Sequence, residues 1–460
     1  MKANEALKKE FFGIELYKYI LSAVLALVMG GFIHMFSTSM SIYEDVSLIA
    51  VLFSLIYFVA LLFISKLKDV ELFPYLMISA GVAATVVARV SMLSEVSLDY
   101  YNFISVWLES MKNMSISEAL TTEIGDYNLP YLYFLAILSR AQGGWLVCVK
   151  AFSCIFDVIL AYYVMKIAEF KVKNTKILGL IFVLTLALPT VLLNSGFWGQ
   201  CDSIYGAFCI ASIYYAFAEK GTKSMVMFAL AFSFKLQAIF IIPILLVCLI
   251  LQKIDWYKLV IVPIVYLLCM LPAIAFGRGV YASLFVYIRQ ASQVQYEQMT
   301  LNAPSIWMFM ENGSYETLKW VGIMLAALVS LAFVYLCYIY ADRLEIPELV
   351  TVAYLTALAL PYFLPSMHDR YFFIADVLSV LVFVYDRKKW YVPLVTVFAS
   401  FASYAIFLIN VAGLYNLRLY AMALLVVMVV VTKDFVENLR AKTPVRTFPK
   451  PKKIVEKALE

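Results

Sequence analysis

The chain has 460 residues, of which 64% are hydrophobic, 16% aromatic and only 15% charged. A mean hydropathy of +0.88 excludes a soluble fold, because no soluble core could hide that much apolar surface. The net charge of +5 follows the loops between apolar runs and does not indicate a nucleic-acid partner, and the seven cysteines show no disulfide or metal-ligand spacing. We therefore expect an all-α polytopic membrane protein.

Residues 1–13 lack the small-residue cleavage pattern of a signal peptide, so we expect the N-terminal segment to be an uncleaved membrane anchor. Apolar runs of membrane-spanning length then recur along the chain, and at roughly 20 residues per span they predict about 12–13 transmembrane helices. The twelve clearest lie near residues 15–36, 46–65, 73–93, 144–166, 176–194, 200–218, 258–276, 319–340, 348–365, 371–385, 390–411 and 415–432.

Lysines are concentrated in alternate connections between these runs, for example at Lys66, Lys173 and Lys253. By the positive-inside rule, both termini are cytoplasmic, while the connections 94–142 and 278–318 lie outside. The expected location is the cell membrane, with multi-pass topology.

The sequence divides into a transmembrane domain, residues 1–435, and a basic cytoplasmic tail, residues 436–460. The tail combines three prolines with many basic residues, so we expect it to be drawn to anionic lipid headgroups.

The outer connection 94–142 is the longest interruption in the apolar pattern. It carries two acids beside aromatic residues, in Asp99-Tyr100 and Gly125-Asp126-Tyr127. After the first acid, apolar residues recur at helical spacing: Tyr100, Phe103, Ile104, Trp107, Leu108 and Met111. This spacing predicts a short amphipathic helix in the membrane interface. An ordinary connecting loop would fit the same features equally well.

Residues 224–251 are apolar enough to span, yet the lysine-bearing loops on both sides belong to the cytoplasm by the same rule. We therefore interpret the segment as re-entrant, or as a broken pair of half-helices divided near Lys235 to Pro243. Non-helical backbone at this depth needs surrounding protein or a water-filled cavity.

Two outer turns are richer in polar residues than a linker requires. The first runs from Asn194 to Asp202; its Trp198 alone fits an interfacial tryptophan, but an acid at the mouth of a span is costly unless it faces water or a partner. The second, Met367 to Phe373, contains His368-Asp369-Arg370.

The outer face uses arginine where the cytoplasmic loops use lysine, at Arg140, Arg278, Arg289, Arg370 and Arg418. A guanidinium can hold phosphate oxygens bidentately, so a phosphate-bearing lipid headgroup is a natural ligand for this face. Arginines snorkelling to the interface would account for Arg140 and Arg418 without any ligand.

Together these motifs resemble the GT-C membrane glycosyltransferases. The resemblance covers roughly residues 70–390 and includes the acid-aromatic outer loop. The other motifs that carry it are Trp198-Gly199-Gln200-Cys201-Asp202, Lys235-Leu236-Gln237-Ala238, Asn302-Ala303-Pro304-Ser305-Ile306-Trp307 and His368-Asp369-Arg370-Tyr371-Phe372. The sequence is most similar to bacterial relatives of the second GPI mannosyltransferase, and more distantly to the dolichyl-phosphate-glucose-dependent glucosyltransferases.

The resemblance implies a GT-C-like bundle and an inverting hexosyltransferase. Mannose is one of the sugars that the resemblance allows it to transfer. Such an enzyme moves a sugar from a polyprenyl-phosphate donor to an extracytoplasmic glycan or lipid-linked acceptor. By position Asp99 would be the general base, although Leu98 stands where the family often has glycine. Asp126 would orient the acceptor, and His368 and Arg370 would lie at the donor phosphate.

The chemistry of sugar transfer suggests further roles. An acceptor hydroxyl needs a carboxylate to take its proton, and the leaving lipid phosphate needs positive charge, which Arg370, Arg289 and Lys235 can supply. Substrate-positioning roles are predicted for Trp198, Gln200, Asp202, Gln237 and Asn302. We expect no metal and no cofactor, since no cluster has metal-ligand spacing.

Two other functions fit the same outer site. A transporter or flippase of lipid-linked sugars would also need intramembrane charges and a broken helix, although no repeat relates the two halves of this chain. A polysaccharide polymerase or ligase would use a lipid-diphosphate donor instead.

Overall fold

The computed structural model describes residues 10–11, 14–40, 45–67, 70–291, 297–310, 315–414 and 416–444. Within these ranges the chain is almost entirely helical, and its strands form two sheets of two strands each. The predicted all-α class is confirmed. Most of the basic tail lies outside the described residues, as do parts of the loop 278–318, and the last described helix continues through Ala441, past the predicted boundary at residue 435.

In chain order the α-helices are α1 (Leu16–Met40), α2 (Val46–Ser65), α3 (Leu72–Val90), α4 (Ser105–Lys112), α5 (Ile116–Thr121), α6 (Leu129–Leu138), α7 (Trp145–Ala168), α8 (Thr175–Leu186), α9 (Pro189–Leu192), α10 (Asp202–Phe217), α11 (Gly221–Phe234), α12 (Ile242–Ile250), α13 (Ile261–Ala275), α14 (Val280–Leu284), α15 (Val286–Ala291), α16 (Tyr315–Ile339), α17 (Ile346–Phe363), α18 (Phe373–Tyr385), α19 (Tyr391–Ile409) and α20 (Leu417–Ala441).

Shorter elements extend or join these helices. Two π-helical turns are Tyr100–Ile104 and Leu193–Trp198, and 3₁₀ turns are Leu236–Ile241, Trp256–Val260, Ile306–Phe309, Ala341–Arg343, Asp369–Phe372, Arg387–Lys389 and Ala412–Leu414. The strands β1 (Glu10–Phe11) and β2 (Ile14–Glu15) pair antiparallel, and β3 (Thr300–Leu301) and β4 (Met367–His368) pair parallel.

Nine helical segments in the described part of the chain are long and apolar enough to cross a membrane, or ten if the bent pair Thr175–Leu186 and Pro189–Trp198 is one span. Large apolar side chains also cover the outside of the bundle: Leu27, Leu268 and Leu328 are each more than half exposed. A surface of this kind is stable in lipid rather than in water. The chain is therefore a multi-pass α-helical membrane protein.

In the described part of the chain, fewer helices are long enough to span a membrane than the 12–13 predicted. Two predicted spans, 200–218 and 371–385, form helices α10 and α18 of only 16 and 13 residues. At 1.5 Å per residue these helices are roughly 24 Å and 20 Å long, short of the roughly 30 Å hydrocarbon layer. Both begin directly after a polar turn whose residues are buried, among them Trp198 and Asp369. The helices are short because these two turns are recessed into the bundle.

The predicted break in 224–251 is confirmed. Helix α11 ends before Lys235, a 3₁₀ turn follows, and α12 continues from Ile242. The two ends of the segment lie together, because Lys253 pairs with Glu219 at 2.8 Å. The segment therefore runs inward, turns at Lys235 and folds back to the end of the bundle where it began.

Lysines gather at that same end. Lys66 lies over the ring of Tyr162 near the end of α7, and Lys171 just beyond α7 donates to the carbonyl of Tyr385. We call this the lysine-rich end. The polar turns 91–99, 193–201 and 364–372 lie at the opposite end, which we call the site end.

The predicted amphipathic helix is also present, as the π-helical turn Tyr100–Ile104 followed by α4. Tyr100, Ile104, Leu108 and Met111 are buried, as the spacing predicts, whereas Phe103 is 43% exposed. The helix packs one apolar stripe against the rest of the loop and presents a second to the outside.

Candidate functional site

The centre of the site is the carboxylate of Asp99. Its Oδ2 accepts hydrogen bonds from Trp198 Nε1 at 2.9 Å, from Gln200 Nε2 at 2.5 Å and from Arg370 Nη1 at 3.3 Å. No described residue donates to the other oxygen, Oδ1, and the side chain is 19% exposed. One oxygen is thus held by two distant segments of the chain, while the other is open to a ligand.

A tight turn aims Trp198 and Gln200 at this carboxylate. The π-helical turn Leu193–Trp198 ends at Gly199, whose φ of +73° lies in the left-handed region that glycine adopts without strain. The Trp198 carbonyl accepts a hydrogen bond of 2.7 Å from the hydroxyl of Ser97, which lies two residues before Asp99. The two segments are therefore joined at the backbone as well as through the carboxylate.

A buried row of alternating charges begins at Asp99. Arg370 reaches from Asp99 to Asp202, with its Nε 3.7 Å from Asp202 Oδ2. Lys235, at the tip of the broken segment, pairs with Asp202 Oδ1, and Asn194 donates to Oδ2 at 2.8 Å. We call Asp99, Arg370, Asp202 and Lys235 the charge row. Its two acids and two bases balance, so the row carries no net charge when all four are ionised.

Aromatic rings enclose both cations of the charge row. The guanidinium of Arg370 lies 5.3 Å from the Trp198 ring centroid, and the Lys235 ammonium lies between 5.6 Å and 5.9 Å from the rings of Tyr205, Tyr371 and Tyr127. Cation–π contacts at these distances stabilise charge where water is scarce.

Asp369 adds a third acid beside the row. Burial, together with the nearby charges of Asp99 and Asp202, raises the pKa of this carboxyl to about 7, although the Arg370 charge opposes the increase. Burial, together with the charges of Arg370 and Lys235, lowers the pKa of His368 well below its usual value. The His368 imidazole is consequently neutral at neutral pH, and it offers a hydrogen bond rather than a positive charge.

The small parallel sheet positions His368 and Asn302. Strand β4 pairs with β3 so that His368 lies opposite Leu301, and Asn302 forms a further bridge to His368. Asn302 has a φ of 60°, and its carbonyl accepts a hydrogen bond of 2.5 Å from Ser403 on α19. These contacts hold the loop 297–309 against the turn that carries Arg370.

Asp126 and Arg289 lie on the rim of the site rather than in the charge row. The Asp126 carbonyl accepts a hydrogen bond from the Gln290 side chain, and Arg289 pairs with Glu123. The next residue, Tyr127, donates from its hydroxyl to Gln200 Oε1 at 2.8 Å, which connects the rim to the centre.

Gly125 shapes that rim. Its φ is +75°, and a Cβ atom there would lie 2.8 Å from the Trp107 ring, so only glycine fits. Gln237 lies in the 3₁₀ turn after Lys235, and none of the described residues donates a hydrogen bond to its buried side-chain oxygen.

Sequence reasoning missed several residues that build the site. Asn194 and Asp369 lie in turns from which neighbouring residues, but not these two, were predicted to be site residues. Arg89, Lys150 and Asp157 are buried charges inside predicted spans, and they support the turns that carry Asp99 and Trp198. An ionisable residue within an apolar run is itself a signal, because it is costly in a membrane unless it is paired.

Among the described residues, no three His, Cys, Asp or Glu side chains are grouped so that they could hold a metal ion. The site is thus a charged, aromatic-lined cluster at one end of a multi-pass helical bundle. No family model matches the chain, and no curated protein matches it.

Proposed function

We propose that this protein is an inverting glycosyltransferase that uses a polyprenyl-phosphate sugar donor, with Asp99 as the general base. The observation that carries the proposal is the carboxylate of Asp99, held at Oδ2 by three donors and unoccupied at Oδ1 in the described structure. A base for an acceptor hydroxyl needs this combination of fixed orientation and a free oxygen.

The surroundings of Asp99 suit a lipid-borne substrate. Val96 and Leu98 precede it and Tyr101 follows it, and these three side chains are 55%, 59% and 67% exposed. Exposed apolar groups next to a buried charge row would let an acyl or prenyl chain remain in the lipid while its polar head enters the site.

The charge row supplies the group that a leaving phosphate requires. Arg370 is the cation that can hold a phosphate with two hydrogen bonds, and no described residue accepts a hydrogen bond from its Nε. A phosphate that binds Arg370 competes with Asp99 for the guanidinium. Donor binding would then loosen the hold of Arg370 on the base and make Asp99 a better proton acceptor.

The test is sugar transfer by purified protein in liposomes, with a radiolabelled polyprenyl-phosphate hexose, a matching polyprenyl-diphosphate hexose and a panel of acceptors. We expect transfer from the monophosphate donor, loss of transfer in Asp99→Asn, and normal transfer in Glu109→Gln, an exposed acid on α4. Transfer from the diphosphate donor alone would make the protein a polymerase or ligase and contradict the proposal.

A flippase of lipid-linked sugars is the second candidate, and one observation favours it. Asp376 in α18 is fully buried, accepts a hydrogen bond of 2.8 Å from Ser400, and has no cationic partner among the described residues. Unpaired acids inside a bundle, near a bent span such as α8–α9, are typical of transport pathways. Movement of the labelled donor across the liposome membrane without transfer would favour this function.

The site is proposed to lie on the extracytoplasmic side of the membrane. This location can be tested without an activity assay. In a background without reactive native cysteines, Asn113→Cys should react with an impermeant thiol reagent added outside cells, whereas Lys173→Cys and Asp255→Cys should react only after permeabilisation. Outside labelling at 255 but not at 173 would show that the segment 224–251 crosses the membrane.

A further inference from the structure

One helix touches both of the segments that meet at Asp99. Helix α7 presents Lys150 and Asp157 two turns apart, roughly 10 Å along its axis, and neither side chain is exposed. Lys150 contacts the segment that leads into Asp99, and Asp157 contacts the turn that carries Trp198 and Gln200.

The Lys150 ammonium holds the turn that follows α3. It donates to the carbonyls of Met92 at 2.8 Å, Leu93 at 3.2 Å and Glu95 at 2.7 Å. These carbonyls lie beyond Val90, the last residue of α3, and Asp99 follows four residues after the last of them. A side chain at Gly199 would also lie 3.5 Å from Lys150 Cγ, so the lysine packs beside the turn that follows Trp198.

The Asp157 carboxylate holds the second segment, the turn that carries Trp198 and Gln200. Ser195 donates to its Oδ2 at 2.5 Å, and Ser203 donates to its Oδ1. These two serines flank Trp198, Gln200 and Asp202. Arg89 on α3 completes the contact with Nε and Nη2 at 2.9 Å and 2.8 Å from Oδ2, so the carboxylate is itself fixed.

We propose that Lys150 and Asp157 are positioning residues that fix Asp99 relative to Trp198 and Gln200. Neither touches the open oxygen of Asp99. Each instead sets the backbone of one of the two segments against the same rigid helix, so the hydrogen bonds to Asp99 Oδ2 keep one geometry. The consequence for turnover rests on the proposed function, but the consequence for geometry does not.

The Trp198 indole N–H is a direct reporter of that geometry, because it donates to Asp99. The chain has seven tryptophans, so protein labelled with ¹⁵N-indole should give seven N–H resonances. Trp198→Phe assigns the signal by its loss, and Asp99→Asn defines how the signal moves when the acceptor is weakened.

Two variants remove the contacts of α7 without touching the charge row. Lys150→Met removes the hydrogen bonds to the turn after α3, and Ser195→Ala with Ser203→Ala separates the turn from Asp157 while the Arg89–Asp157 pair stays intact. Matched controls are Lys253→Met, a buried lysine at the lysine-rich end, and Ser212→Ala, a buried serine bonded to Ser224 between α10 and α11.

In both test variants the Trp198 signal should shift toward its Asp99→Asn position or broaden, and in both controls it should stay unchanged. If the protein transfers sugar, kcat should fall about tenfold to a hundredfold in the test variants with little change in donor KM, as expected for a displaced reacting group.

An unmoved Trp198 signal in both test variants would overturn the positioning role, whatever the activity. A shifted signal in a protein without transferase activity would instead support the positioning role and contradict the proposed function. If Lys150→Met fails to fold, the serine double variant, which keeps Lys150 and the Arg89–Asp157 pair in place, still decides the question.

Discussion

The structure contains two buried groups in which arginine meets aspartate, and they differ in how completely their hydrogen bonds are made. In the first, Arg89 and Asp157 lie 2.8 Å apart with side chains 3% and 0% exposed. Arg89 also donates to the carbonyls of Thr85 and Leu186, at 3.1 Å and 2.9 Å. Two serines fill the remaining acceptor positions of Asp157, so this pair has no need of a ligand.

In the charge row, Arg370 is held less completely than Arg89. Arg370 is 3.3 Å from Asp99 and 3.7 Å from Asp202, and no described residue accepts a hydrogen bond from its Nε. Buried polar groups in folded proteins are nearly always satisfied, and an unsatisfied one calls for an explanation. The difference indicates that the Arg89–Asp157 pair supports the fold, whereas Arg370 keeps a hydrogen-bond donor available, as the proposed function requires.

The largest effect on activity should come from Asp99→Asn. Loss of a general base costs about 100- to 10,000-fold in rate. Because the amide oxygen can still accept from Trp198, folding and donor binding should be retained, as measured by thermal unfolding and by equilibrium binding of labelled donor. Wild-type turnover in this variant, with Asp126→Asn or Asp202→Asn inactive, would move the base to that residue.

The largest effect on stability should come from Arg89→Met. It leaves Asp157 buried without its cation, which typically costs about 3–5 kcal/mol. Unfolding of the purified protein in detergent measures the loss, and Arg89→Met combined with Asp157→Leu should recover part of it. A variant as stable as wild type would show that the comparison between the two groups is wrong.

Arg370→Ala should have an intermediate effect, and on catalysis more than on folding. Loss of a charge-assisted contact to the donor phosphate should weaken transition-state stabilisation by about 1.5–3 kcal/mol. Arg370→Lys keeps the charge but cannot bridge two carboxylates, so its kcat/KM should lie between that of wild type and that of Arg370→Ala. Equal kcat/KM in all three proteins would remove the phosphate role. His368→Ala should cost less than Arg370→Ala, because its imidazole is neutral.

The smallest effect should be the pH dependence of Asp369. Its pKa is raised to about 7 in the folded protein, so the folded state binds the proton more tightly than the unfolded chain does. The stability linked to this proton is present below the ordinary carboxyl pKa and is lost as pH rises through about 7. As pH rises from the ordinary carboxyl pKa to about 7, the melting temperature of wild type should therefore fall relative to that of Asp369→Asn. Parallel pH profiles of the two proteins would contradict this assignment.

Local pattern was sufficient for much of the fold. Long apolar runs predicted most of the spanning helices, because a helix in lipid needs only length and hydrophobicity. Lysine placement predicted the break at Lys235, and helical spacing predicted the buried stripe from Tyr100 to Met111. The residues chosen for chemistry were acids, bases and aromatic groups at span ends, and Asp99, Arg370, Asp202 and Lys235 do come together.

The tertiary structure decided what these patterns could not. Hydropathy does not show that a helix starts at a turn recessed into the bundle, so the short lengths of α10 and α18 were not predicted. Asp126 and Arg289 are charged residues in predicted outer connections, like the other site residues, yet they lie on the rim of the site. Lys150 and Asp157 acquire their roles only through contacts more than 35 residues away in sequence, at the end of α3 and in the turn before α10. Such contacts depend on how the helices pack, and packing is a property of the whole bundle rather than of any segment.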